Sequence, residues 1–343
     1  LSSKGKLRAG LDYVLPKGEQ VTDQSLGHFF RRRFGDELVE NLIEPLLSGI
    51  YAGDIDDMSL MATFPNFYKL EQTYGSLIKG LQETMPKQKP KQKKKAPGMF
   101  YSFKGGLEVF IESLVEHLDR IKIHLHTSVD HIEKKEFGYH VLLNDGHVLK
   151  ADTILMATPH MTVPQILSQY DFFDVFKDVP ATSVANVALA FDQSAITREL
   201  NGTGFVVSRN SDFRITACTW THRKWPLSTP DGKVLLRCYV GKPKDQDVVQ
   251  LSDEDIVKIA LDDLNKIMKL SNKPEFTVVS RWQQAMPQYT VGHLERVKSV
   301  KEQMTKHLPG IFLAGSSYEG VGIPDCIHQG EKVAEDMLRF LQV

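Results

Sequence analysis

The residues best suited to hold a reactive group lie near the end of the chain, in Gly315-Ser316-Ser317-Tyr318-Glu319-Gly320-Val321-Gly322-Ile323-Pro324-Asp325. Ile311 to Ala314, just ahead of them, reads as a short buried strand. Pro324 sets φ for a helix that begins around Asp325 and runs to Leu341, with Val333, Ala334, Met337, Leu338 and Leu341 on one face. Glycines at 315, 320 and 322 let a backbone lie flat against a large partner. A strand, a glycine loop and a helix N-terminus hold electron-rich groups through backbone N–H and the helix dipole. An ordinary turn between strand and helix has the same pattern, so the residues alone leave both readings open.

Side-chain catalysis finds no support. No G-x-S-x-G, H-E-x-x-H or Walker loop occurs. Asp56-Asp57 and Asp262-Asp263 are adjacent, so each pair points to different faces. His124 and His126 alternate on an expected strand and read as surface or core histidines. Cys218, Cys238 and Cys326 are odd in number and widely spaced, which argues against a disulfide framework or zinc site and suits a reducing cytosol. A net charge of −1 gives no reason to expect nucleic acid, and no apolar run is long enough to span a membrane. Such a chain fits a cofactor enzyme, whose protein part supplies position, shielding and electrostatics.

The elements that must position this loop change in character along the chain. Residues 1–80 read as helical. Asp23 or Ser25 caps a helix through Arg33, and Gly35 ends it. Leu38, Val39, Leu42, Ile43, Leu46 and Leu47 recur at helical spacing, with Pro45 predicting a kink or break. A further helical stretch runs from Leu60 to Gln82. Residues 87–97 carry six lysines and two prolines and read as an exposed, mobile loop. That loop is a solvated linker or a contact for anionic lipid headgroups. A helix then spans Glu108 to Arg120, with strands at Ile121–His126, Val129–Lys134, Tyr139–Leu143, His147–Leu149 and Thr153–Ala157. Asn144-Asp145-Gly146 marks a hairpin. Residues 183–191, 203–209, 213–221 and 233–241 alternate as strands. Ser252 to Leu270 is helical, Val278 to Gln284 a strand and Gly292 to His307 helical. This order predicts interleaved domains, the last segment rejoining the unit begun near residue 105.

The string from Gly310 to Ile327 closely resembles the C-terminal flavin-contacting motif of the FAD-dependent protoporphyrinogen/coproporphyrinogen III oxidases, in the form found in Gram-positive bacteria. The likeness runs from about Asp23 to the end and is as close over Phe30 to Phe64 and Thr203 to Thr221. It implies an α/β (mixed α+β) fold, that of an FAD-dependent amine-oxidase-like flavoprotein. Its expected parts are a helical membrane-associating or substrate domain (1–98, with a lysine-rich loop at 86–97), part of the FAD-binding domain (99–180), a β-rich substrate-binding domain (181–300) and the end of the FAD-binding domain (301–343). Proteins of this family open with a strand, a G-x-G-x-x-G turn and a helix that cradle the FAD pyrophosphate. No such turn occurs here. The expectation is a fragment without the dinucleotide-binding βαβ start, rather than a flavin-free relative. Weak or absent FAD binding, poor solubility and no turnover are then expected of these residues alone.

The resemblance also assigns roles. Val129 matches a valine that offers its backbone to the adenine, and Ala157-Thr158-Pro159 matches a chain crossing beside the flavin. Trp282 matches the flank of the isoalloxazine ring, while Gly320, Val321, Gly322 and Ile323 match its contacts. On the residues alone Val129 reads as a buried sheet valine, and Trp282 equally as a core tryptophan. Ile50 and Tyr239 match positions lining the family's substrate cavity. Arg209, Arg214 and Arg237 stand in or beside the same strands, where they would pair with propionates or serve as surface arginines. The implied reaction converts coproporphyrinogen III to coproporphyrin III in haem biosynthesis, by hydride transfer to flavin N5. Dioxygen reoxidises the flavin and yields hydrogen peroxide, and no side chain is required as a catalyst. Protoporphyrinogen IX is the alternative substrate. The implied setting is the cytoplasm or the inner face of the cell membrane, with contact to ferrochelatase as a further implied partner. Two other readings compete. A different flavin amine-oxidase relative would show amine-caging aromatics or a flavin-linking cysteine, whereas Cys326 matches the non-covalent motif. A flavin-free module binding porphyrin or ferrochelatase is the non-enzymatic reading.

Overall fold

Short-range chemistry sets the ends of the first helices. The computed structural model describes residues 1–85, 101–197, 200–208, 210–243 and 245–342. The Ser2 hydroxyl caps α1 (Ser3–Gly10). The Ser25 hydroxyl accepts the His28 N–H to open α2 (Leu26–Phe34), and Gly35, at φ 82°, closes it. α3 (Asp36–Leu38) passes through a π-turn, Val39–Ile43, into α4 (Glu44–Tyr51). Pro45 brings no N–H to the helix ladder, so the expected kink takes the form of this wide turn just ahead of it. The stretch expected as one helix from residue 60 is three: α5 (Leu60–Thr63), α6 (Pro65–Tyr74) and α7 (Leu77–Thr84). Pro65 starts α6 and Gly75, in the left-handed region, stops it. Leu26, Phe29, Phe30, Tyr51, Leu60 and Leu77 form the core of these helices. The lysine-rich loop at 86–97 lies outside the described residues.

α8 (Glu108–Glu116) buries none of its side chains. The strand expected at Ile121–His126 does not form. Ile121, Ile123 and Leu125 stand exposed, His126 sits at φ 54°, and no strand among the described residues pairs with them. A β-pattern without a partner strand has no ladder to join. β1 (Val129–Lys134), β2 (Tyr139–Leu143) and β3 (Val148–Ala151) make an antiparallel meander in that order. Its turn closes with the Gly146 N–H donating to the Leu143 carbonyl at 2.9 Å. β4 (Ile154–Met156) and α9 (Val163–Ile166) follow.

The largest sheet is built from β5 (Ala181–Asp192), β6 (Gly204–Val206), β7 (Ile215–Trp220), β8 (Lys233–Val240) and β9 (Phe276–Pro287). α10 (Thr221–Lys224) follows β7, and α11 (Asp253–Met268), capped by Ser252, precedes β9. The strand order is β6-β7-β8-β5-β9, and β5 lies between two antiparallel partners. Val187, Leu189, Leu236 and Cys238 send one face of the sheet into a core shared with Ile256, Ala260 and Leu264 of α11. The opposite face carries Val184, Asn186, Arg237 and Tyr239, because side chains alternate along each strand.

α12 (His293–His307), β10 (Ile311–Leu313) and α13 (Ile323–Phe340) end the chain. β10 lies parallel to β4, with Phe312 opposite Leu155. The last segment therefore rejoins the unit that holds residues 154–156. Of the apolar face expected on the final helix, Val333 is buried whereas Leu338 and Leu341 are exposed.

Candidate active site

A cavity of about 850 Å³ opens between the uncovered face of the large sheet and α4. Ile50 reaches it from the last turn of α4, Tyr239 from β8 and Trp282 from β9. Val184, Ala217 and Met286 make the wall largely apolar. Trp282 is 56 % exposed, so its indole stands in the cavity wall and not in the core. Arg237 shares the face of Tyr239, its guanidinium carbon 5.4 Å from that ring's centroid. Its Nε is buried and has no hydrogen-bond partner among the described residues. Arg214 is already committed, with Nη2 at 3.0 Å from Asp245 Oδ1 and Nε at 3.2 Å from Oδ2. An anion would have to displace that fork, and the ion pair is the surface role that the sequence left open for Arg214. Arg209 lies outside the described residues. Asp263, one of the adjacent acid pairs, is buried and accepts the backbone N–H groups of Arg214 and Ile215. It is a structural carboxylate.

The glycine loop is held along one side by side chains. Gly315 N–H donates to Gln329 Oε1 at 3.0 Å, and the same amide donates from Nε2 to the Glu319 carbonyl. The Tyr289 hydroxyl donates to the Ser316 carbonyl at 2.6 Å, and His293 Nε2 to the Tyr318 carbonyl at 2.8 Å. His160 N–H donates to the Ser317 hydroxyl at 3.1 Å, and the Tyr318 hydroxyl to the Thr158 carbonyl at 3.2 Å. Lys301 pairs with Glu319. Burial pushes the phenols of Tyr289 and Tyr318 up, so both stay protonated as donors.

Gly320 is required twice over, by a φ of 80° and because a Cβ there would come within 2.8 Å of the Asp325 side chain. A Cβ at Gly322 would likewise meet Asp325 Oδ2 at 2.8 Å. The obstacle at both positions is Asp325. Val321 packs against the helical core, and Ile323 is exposed. α13 begins after Gly322 without a side-chain cap, and Pro324 has no N–H, so among the described residues no side chain takes up the remaining first-turn amides, which suit an acceptor. Across a small hollow lie Ala157, Thr158 and Pro159, facing Gln284, Pro287, Ser316 and Ser317. The Thr158 hydroxyl is buried there without a partner among the described residues. Uncapped amides, flat glycine backbone and an orphaned hydroxyl fit one edge of a planar, electron-rich ring. Tyr51, Tyr289, Gly320 and Asp325 line a second cleft of about 760 Å³. Since Ile50 and Tyr51 are consecutive, the end of α4 forms a wall between the cleft and the cavity. Val129 stands apart, on the edge strand of the small meander, opposite Leu143.

Sequence reasoning missed the residues that tie the loop down. His293 is fully buried, stacks on Tyr289 with ring centroids 4.0 Å apart, and leaves Nδ1 without a partner among the described residues. Burial first, and then the nearby Arg296 cation, push its pKa down to about 4. Burial also lowers that of His160. The unfolded chain therefore binds more protons than the folded one between about pH 6.5 and 4. Stability is full above that window and is lost as pH falls through it, by on the order of 3 kcal/mol for His293. Urea midpoints measured from pH 7.5 to 4.5 should fall steadily, and His293→Phe should flatten the slope. An equal slope in the variant would place the titration elsewhere.

Residues 1–338 match the family of flavin containing amine oxidoreductases. The coproporphyrinogen III oxidase of Bacillus subtilis (strain 168) is 48% identical over 341 residues, covering 99% of this chain and 73% of that protein. That of Staphylococcus aureus (strain NCTC 8325 / PS 47) is 45% identical over 348 residues, covering 99% and 74%. The chloroplastic protoporphyrinogen oxidase of Nicotiana tabacum is 30% identical over 368 residues, covering 99% and 66%. Among solved structures, a protein of Exiguobacterium sp. 255-15 superposes with a TM-score of 0.87 at 37% identity, covering 100% of this chain and 73% of that one. A putrescine oxidase variant superposes at 0.66 with 14% identity, a likeness of fold alone. The fold is thus that of the amine-oxidase-like flavoproteins, and a flavin is the cofactor it implies. By the match over nearly its whole length and the identity to its bacterial relatives, the chain belongs to the flavin containing amine oxidoreductase family.

Proposed function

We propose that these residues serve an enzyme that oxidises coproporphyrinogen III to coproporphyrin III, with FAD as cofactor and dioxygen as final acceptor, and with protoporphyrinogen IX as the alternative substrate. The observation that carries the reading is the cavity of about 850 Å³ between α4 and the open sheet face, apolar-walled and bounded by Ile50, Tyr239 and Trp282. Its volume lies within the range of small-molecule sites, and its lining suits a bulky apolar ring system. When bound, FAD supplies the hydride acceptor, which dioxygen regenerates with release of hydrogen peroxide. Gly320, Val321, Gly322 and Ile323, with Thr158 opposite, would hold the ring, and Val129 the adenine. Trp282 would shield the substrate side.

The protein's own part is placement. Ile50 and Tyr239 would press on the two faces of the macrocycle and exclude water. Arg237, whose guanidinium lies over the ring of cavity-lining Tyr239, would take a propionate. Arg209 is a second candidate for that role. Among the described residues no helix is long and apolar enough to cross a membrane. Peripheral attachment and product transfer to ferrochelatase rest on the resemblance alone.

The test takes the full translation product of the gene that carries these residues. A flavin absorbance spectrum is recorded, followed by porphyrin fluorescence as coproporphyrinogen and protoporphyrinogen are supplied in air. Yellow protein with faster fluorescence from coproporphyrinogen is expected. A folded, colourless protein that binds porphyrin without forming it would instead favour the flavin-free binding module.

A further inference from the structure

Asn186 breaks the pattern of its own strand. β5 is an interior strand with partners on both sides, a position where asparagine is disfavoured. Its neighbours on the same face, Val184 and Ala188, are apolar. Asn186 stands directly opposite Tyr239 on β8 and Ser280 on β9, and its side chain lines the cavity. Four other polar side chains of that wall are engaged. Thr216 donates to the Tyr239 carbonyl at 3.4 Å and Lys242 Nζ to the Phe213 carbonyl at 2.8 Å. Glu44 and Asp54 are engaged as well. The Asn186 carboxamide has no hydrogen-bond partner among the described residues. A local rule broken in a central strand, with no structural return for it, marks a functional position.

We infer that the Asn186 carbonyl is an acceptor for pyrrole N–H groups that separates porphyrinogen from porphyrin; this rests on the cavity being the macrocycle site. The chemistry of the two macrocycles differs in one respect that an acceptor beneath them can read. A porphyrinogen has saturated bridges, so its pyrroles tilt and their N–H groups converge on one side of the ring. An aromatic porphyrin is flat, and its remaining N–H groups point inward within the ring plane. Oδ1 on the cavity wall can accept hydrogen bonds from the first and not from the second. The amide carbonyl is also a stronger acceptor than the phenol of Tyr239, and the Trp282 indole only donates. The same contact turns the puckered ring over the sheet and weakens once oxidation flattens it, which favours product release.

The experiment measures binding without turnover, on the full-length protein with its flavin reduced beforehand and under anaerobic conditions, so that no hydride acceptor is left. Coproporphyrin binding is followed by its absorbance and fluorescence, and coproporphyrinogen is titrated in as competitor. The native protein is expected to prefer the porphyrinogen. Asn186→Leu should weaken the porphyrinogen about tenfold and leave the porphyrin within about twofold, the scale of one well-placed hydrogen bond. Asn186→Asp keeps an acceptor and should keep the preference, a rescue that general loosening of the strand would not produce. Equal preference in native protein and Asn186→Leu, or loss of preference in Asn186→Asp, overturns the role of Asn186 while the cavity reading stands. Failure of the native protein to bind either macrocycle overturns both.

Discussion

Replacing Ala217 by tryptophan is expected to lower kcat/KM for coproporphyrinogen by about a hundredfold or more, with little change in thermal stability. Ala217 lies directly opposite Tyr239 in the register of β7 and β8, and its side chain opens onto the cavity. Cys218, the next residue, faces the core under α11. The alternation of the strand separates the two effects: bulk added at 217 fills the cavity and leaves the packed face alone. An indole there would occupy the space of a pyrrole and displace the rest of the ring from its acceptor. Displacements on the scale of about 1 Å already cost about a hundredfold in rate. Steady-state kinetics with a melting curve on the same preparation checks both halves of the expectation. Unchanged turnover would move the substrate to the neighbouring cleft lined by Tyr51, Tyr289 and Gly320, and the present reading of the cavity would then be wrong.

What the sequence disclosed depended on how far apart the interacting residues lie. Ser25, Gly35, Ser252 and the Asn144-Asp145-Gly146 turn act within a few residues, and each appears where its chemistry places it. The periodic strands at 181–192 and 233–240 were equally legible. The segment at 121–126 has the same alternation but no partner strand among the described residues, and pairing is a property of two segments that one cannot show. Arg214 and Arg237 are alike in sequence. Only the fold puts Asp245 against the first and leaves the Nε of the second unpartnered among the described residues. Ile50 and Tyr239 were placed at the substrate site by resemblance, and the fold brings both to one cavity. Asn186 gave no signal because a polar residue at an alternating position looks the same whether it faces solvent or a binding site. His293 and Gln329 were invisible for a related reason: each acts on a backbone carbonyl whose position is set elsewhere in the chain.

The largest stability effect is expected at Arg33, in the helical core whose Tyr51 adjoins the cavity-lining Ile50. Arg33 is fully buried. Its Nε lies 2.5 Å from Asp12 Oδ1, and Nη2 donates to the carbonyls of Asp12 at 2.6 Å and Gly75 at 2.9 Å. Nη1 reaches the Pro16 carbonyl at 2.9 Å and Glu71 at 3.3 Å. Asp12 and Glu71 are themselves fully buried, and Arg32 forks onto Glu71 from the other side. One guanidinium thus joins the start of the chain, α2, α6 and the turn before α7. Arg33→Ala would leave the Asp12 carboxylate in the interior with its main counter-charge gone, at a cost of about 3–5 kcal/mol. Against a total of about 5–15 kcal/mol for an ordinary domain, that brings the helices close to unfolding at room temperature. Arg33→Lys keeps the charge and loses the fork, so it should fall between the variant and the native protein. Arg31→Ala is the contrast. Its partners Asp36 and Asp56 are exposed, and loss of such surface pairs costs about 1 kcal/mol or less. Urea denaturation of the three variants at pH 7 should rank Arg33→Ala lowest by a wide margin. If Arg33→Ala were no worse than Arg31→Ala, the desolvation of the buried charges must already cancel their attraction. The network would then specify how the helices meet without stabilising them.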